Sequence, residues 1–106
     1  MVTLQALALC ISTLSGLPVP SVMPQVVVLS QEAISARAPD FANLWGWYEP
    51  SPPPGTIVER EGRERHVFAH ELTHHMQVSA GIDPTTAESE TVARIAQRRW
   101  GAGKCE

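Results

Sequence analysis

Apolar residues return along the first stretch of the chain at Leu4, Leu7, Ile11 and Leu14, a three-and-four spacing that gathers them on one face of a helix. Gly16 and Pro18 end that run, and three prolines within Gly16 to Pro24 give this segment the character of an extended connection. The block Val26-Val27-Val28-Leu29, inside the segment Gln25 to Ser30, has no polar alternation and predicts a short strand buried on both faces. Ser30, ahead of Gln31 and Glu32, is placed to cap a brief helical turn through Ala36, and Ala38 to Leu44 reads as loop. Two more short strands are predicted, Gly46 to Glu49 and Thr56 to Glu59. The Pro50-Ser51-Pro52-Pro53-Pro54-Gly55 separator is too long for a two-residue hairpin but suits a wider turn between antiparallel neighbours.

From Gly62 the period changes to that of a helix, with Phe68, Leu72 and Met76 four apart and Gly81 standing where a terminating glycine belongs. Asp83-Pro84, or alternatively Thr85 with Glu88 as a capping box, then opens a last helix that buries Val92, Ala96 and Trp100.

Composition narrows the classes. The chain has 106 residues, 43% of them hydrophobic, enough for one domain over 1–106 with a modest core and no room for a second. A net charge of −3, with eight Lys and Arg that form no stripe, argues against nucleic acid as a partner. No Lys or Arg precedes Arg37, so the apolar start lacks the basic region of a signal peptide, and it is too short and too polar to cross a bilayer. The expectation is a monomer without membrane partners, with the cytoplasm favoured as its compartment. Cys10 and Cys105 match neither a zinc ribbon nor a disulfide-dense scaffold, so two unpaired thiols are expected ahead of a bridge between the ends.

The chemistry is carried by His70-Glu71-Leu72-Thr73-His74. On a helix, positions i and i+4 lie about 40° apart, so both imidazoles reach one ion, while Glu71, about 100° round from His70, stays off the metal but close enough to take a proton from water beside it. Zinc with three protein ligands and one open position makes such water acidic near pH 7. The third ligand is sought in Glu88-Ser89-Glu90. Both glutamates flank the apolar arc of the last helix, so periodicity leaves the choice open; Ala93, a small residue one turn beyond Glu90, favours Glu90 by letting the two helices approach. The other glutamate is a first-turn acid that suits the helix dipole.

His66 extends the stripe below His70 and reads as an outer-shell or surface group, and His75, about 140° from His70, as a packed or hydrogen-bonded core residue. Trp45, Trp47 and Tyr48 read first as core and second as the lining of a cleft. Cys105, on a tail with Gly101 and Gly103, is a remote candidate for a fourth ligand that would hold the site latent.

His70-Glu71-Leu72-Thr73-His74-His75-Met76-Gln77, followed by Glu90 and Ala93, resembles the gluzincin metallopeptidases, and above all their minimal members, the minigluzincins, with a HELxHxxQ-like helix. The likeness extends to Leu17-Pro18-Val19-Pro20, to Val26–Leu29, and to Gly46-Trp47-Tyr48-Glu49-Pro50 ahead of Thr56-Ile57-Val58. It departs at Thr91-Val92 and Arg94. The resemblance implies an α+β fold: a small twisted, mainly antiparallel sheet packed on an HExxH active-site helix and a glutamate-bearing C-terminal helix, with an N-terminal helix besides. It implies metal ligation by His70, His74 and Glu90, Glu71 as general base, Zn2+ as cofactor, and a peptide or protein substrate laid along the outermost strand. Two alternatives stand beside this zinc metallopeptidase: a non-catalytic zinc-stabilised interaction domain, and a regulatory protease with one protein target, similar to the phage-repressor-cleaving peptidases that also pair HExxH with a later Glu-x-x-Ala.

Overall fold

Local sequence sets most of the elements. The computed structural model of the chain describes residues 4–41, 43–62 and 64–101, without the side chains of 64–67. Helix α1 spans Leu4–Ser15 and buries Leu7, Ala8 and Ile11. It stops at Gly16, whose φ of +79° suits a residue without Cβ and whose N–H donates to the Ser12 carbonyl at 2.8 Å. Strand β1 (Gln25–Leu29) leads straight into α2 (Gln31–Arg37), where the Ser30 hydroxyl accepts from the Ala33 N–H at 3.2 Å. A 3-10 turn at Pro39–Phe41 sits within the segment read as loop. Strands β2 (Gly46–Glu49) and β3 (Thr56–Arg60), then helices α3 (Glu64–Ser79) and α4 (Ala87–Gly101), complete the order.

The fold is a small α+β arrangement of four helices and a three-stranded sheet in the order β1-β3-β2. The sheet is mixed, which corrects the expectation of a mainly antiparallel one. β2 runs antiparallel to β3, from Gly46 opposite Glu59 to Glu49 opposite Thr56, but β1 runs parallel to β3, from Gln25 opposite Thr56 to Leu29 opposite Arg60. The cause is the crossover. α2 lies on one face of the sheet, with Ile34 packed against Trp47 and Val58, and carries the chain past the centre to the far edge. The β2–β3 hairpin then returns β3 into the middle, pointing the same way as β1.

β1 is also not buried on both faces. It pairs on one side only, and Val26 and Val28 are 42% and 47% exposed, because α3 lies under β2 and β3 rather than under β1. On the α3 side of the sheet Ile57 joins Leu72 and Met76, and α1 completes this larger core with Leu7, Ala8 and Ile11.

Cys10 is in a disulfide, which overturns the expectation of two unpaired thiols. α1, which carries Cys10, lies against α4, a contact invisible to sequence spacing. Cys105, the other cysteine in the sequence, and the tail considered as a cover for the site lie outside the described residues. No helix among the described residues is long and apolar enough to cross a membrane.

Candidate metal centre

α3 and α4 form an antiparallel hairpin whose connection is built from local hydrogen bonds. α3 ends in a Schellman arrangement: Gly81, at φ +77°, donates to the Val78 carbonyl at 3.0 Å and Ile82 to the Gln77 carbonyl at 2.8 Å. Asp83 does not cap α4, although the sequence nominated it. Its carboxylate accepts from the Thr85 N–H at 2.8 Å and the Thr85 hydroxyl at 2.6 Å, bonds that hold it below the usual carboxylate range. The cap is Thr86, whose hydroxyl accepts from the Ser89 N–H at 3.1 Å, so the helix starts at Ala87.

This register turns one face of α4 toward α3. Ala93 is fully buried, and Glu90, one turn before it, reaches both motif histidines: its Oε1 is 2.6 Å from His74 Nε2 and its Oε2 is 3.6 Å from His70 Nε2. His70, His74 and Glu90 thus form a possible metal-binding site, each offering one ligand atom within 4.8 Å of the others. Glu88 is exposed and faces a different recess, lined also by Gln77 and Val92. Arg94 approaches Glu90 Oε2 at 3.8 Å from the solvent side.

Both imidazoles are held from behind by glutamines. His74 Nδ1 lies 3.0 Å from Gln77 Oε1, and Gln77 Nε2 in turn donates to the Ser89 carbonyl on α4 at 2.9 Å, which sets which amide atom faces the ring. His70 Nδ1 lies 2.9 Å from Gln97 Oε1. An amide oxygen only accepts, so the ring proton sits on Nδ1 and the Nε2 lone pair points inward. A nitrogen lone pair and a carboxylate oxygen 2.6 Å apart attract only through positive charge placed with them. This donor set therefore fits a cation, and its two imidazoles and one carboxylate match the ligand chemistry of zinc. Burial, with the neighbouring His74, lowers the His70 pKa and keeps it in the neutral form that ligates.

Glu71 sits one residue along, buried, with its pKa pushed up to about 8 by burial first and by the charges of Glu90 and Glu59 second. It lines two recesses, one with residues at the start of β2 and one with residues at its end. One, of about 380 Å³, is walled by Tyr48, Pro50, His74, Pro84, Thr85 and Glu90. The other, of about 320 Å³, is walled by residues 43–46, His70 and Gln97.

The remaining aromatic and histidine expectations divide. Trp47 is core, packed with Ile34 and Val58, while its indole N–H donates to Glu49 at 2.9 Å. Trp45 is largely exposed and lines the second recess. Tyr48 packs against the α3 core and lines the first recess. His75 is buried away from the site: its Nε2 lies 2.7 Å from the Val22 carbonyl and so carries the proton, leaving Nδ1 to accept from the Tyr48 hydroxyl at 2.8 Å. The His66 side chain lies outside the described ones.

Gln97 is the functional neighbour that sequence reasoning missed. Its signal was present, since Glu90, Ala93 and Gln97 follow the i, i+3, i+7 spacing of one helix face, and His70, His74 and Gln77 the i, i+4, i+7 spacing of one face of the other helix. Comparison of the chain with protein-family models, curated proteins and solved structures finds no match.

Proposed function

We propose that this chain is a zinc-dependent metallopeptidase of the gluzincin type, with His70, His74 and Glu90 as metal ligands and Glu71 as general base. The observation that carries the reading is that Glu90 meets both imidazoles while the buried Glu71 lies beside them, open to both recesses. When bound, zinc supplies Lewis acidity, which polarises a peptide carbonyl and makes water acidic near neutral pH.

The chain's own residues supply the rest. Glu71 has the high proton affinity a general base needs: it takes a proton from the attacking water and delivers it to the leaving amine. The raised pKa favours that return of the proton. β2 is an edge strand lying over this part of α3, and it pairs only with β3, so its outer backbone groups are available to an extended peptide substrate, with the two recesses receiving side chains on either side of the scissile bond.

The test is Glu71→Gln in zinc-loaded protein assayed against a mixed peptide library. The expected result is a fall in hydrolysis of about 10²-fold or more with one zinc per chain retained. A parent that binds zinc but cleaves nothing in the library overturns a general peptidase. It returns the choice to the zinc-stabilised interaction domain or the single-target regulatory protease.

A further inference from the structure

Gln97 stands outside the His-Glu-x-x-His motif, twenty-seven residues from His70 in sequence, and reaches that ring from the opposite helix. The arrangement mirrors the one at His74. There the acceptor is Gln77 on the same helix, anchored by its own bond to the Ser89 carbonyl of α4. Each helix therefore contributes one glutamine oxygen, each oxygen faces an Nδ1, and the two rings lie edge to face with centroids 4.8 Å apart. Gln97 is half-buried beside the second recess.

We propose that Gln97 is a positioning residue that selects the Nδ1–H tautomer of His70 and aims its Nε2 at the metal; this rests on the metallopeptidase reading for the metal, though not for the tautomer. The chemistry requires an acceptor at that point. A neutral imidazole carries one ring proton, and the acceptor behind it decides which nitrogen remains a ligand. Gln97 reaches that point because α4, fixed at its start by the Thr86 cap and packed along α3, brings its third turn level with His70. An amide oxygen does this without adding a further carboxylate to a site that already holds Glu90 and Glu71. Gln97 is not among the three metal-ligand candidates; it acts on the metal through His70.

The experiment uses the full chain with and without zinc, the parent beside Gln97→Met and Gln97→Glu. Ring-nitrogen NMR of metal-free protein at pH 7.5 reads the tautomer, and competition with a chromophoric chelator reads zinc affinity. The parent should show His70 protonated at Nδ1. Gln97→Met, similar in length but without a strong acceptor, should lose that tautomer at His70 and weaken zinc about 10- to 100-fold. Gln97→Glu should keep both, with the His70 Nδ1–H resonance moved downfield by the charged acceptor. An Nε2–H tautomer in the parent overturns the proposal, as do a Gln97→Met protein with unchanged tautomer and affinity and equal zinc losses in both variants with the tautomer intact. If Gln97→Met fails to fold, Gln97→Glu decides alone: an unmoved His70 resonance overturns the proposal. A parent that binds no zinc overturns the metal centre instead, and the tautomer measurement still judges Gln97.

Discussion

Glu90 of α4 places Oε1 2.6 Å from Nε2 of His74 on α3, so one short contact ties the two helices together at the point where the candidate metal ligands meet. Glu88, two residues earlier on the same helix, is exposed and faces another recess.

The first expected outcome concerns metal affinity. Removing a residue that only orients a ligand costs about 10–100-fold, so His70→Ala, His74→Ala and Glu90→Ala should each lose more zinc affinity than that. Glu88→Ala should stay within about 2-fold of the parent. Zinc titration of the four proteins checks the assignment, and a loss for Glu88→Ala larger than for Glu90→Ala reverses it.

A second outcome concerns the Glu71 pKa. It stands at about 8 in the fold against an ordinary 4.5, so the metal-free native state holds a proton that the unfolded chain releases across that window. The Glu71 contribution to stability is therefore fully present below about pH 4.5 and is lost as pH rises to 8, by up to about 5 kcal/mol. Glu71→Gln cannot ionise and should flatten the decline. Melting temperatures in chelator at pH 5 and pH 9 should show the variant gaining on the parent at the higher pH; parallel curves would show that Glu71 is not the group responsible.

Gly55 turns the chain at φ +97°, and a Cβ there would meet the Tyr48 hydroxyl and ring, whereas Gly62, at φ +84°, faces open space. Gly62→Ala should cost about 1 kcal/mol of backbone strain alone. Gly55→Ala should cost about 1–2 kcal/mol more, because the Tyr48 ring must shift out of the wall of the recess. Denaturant midpoints compare the two directly.

His75 separates structure from ligation within the motif helix. Replacing it by Ala removes the partner of the Tyr48 hydroxyl, strands the Val22 carbonyl and opens a cavity, which should cost about 2–4 kcal/mol. Zinc stoichiometry should stay at one per chain. A protein that folds as the parent does and has lost its zinc would place His75 in the ligand set instead of the core.

Much of this protein was legible in the linear pattern because the relevant physics acts within one element. The spacing of Leu4, Leu7 and Ile11 marked α1, Ser30 opened α2 and Gly81 closed α3 through bonds to residues at most five away. His70 and His74 share a face for any helix containing them. Tertiary structure decided what depends on how elements are turned and ordered. Periodicity could not choose between Glu88 and Glu90, since both flank the apolar arc of α4; the rotation of that helix, with Thr86 as its cap, is what brings Glu90 to the two histidines. Gln97 reaches His70 only because the hairpin brings its third turn alongside. β1 lies parallel to β3, with Val26 and Val28 exposed, because α2 carries the chain across the sheet before β2 begins, and the disulfide at Cys10 left no trace in the spacing of the cysteines. Backbone preferences and side-chain periods are local and survive in one dimension; distances between elements are consequences of packing and exist only once the core has closed.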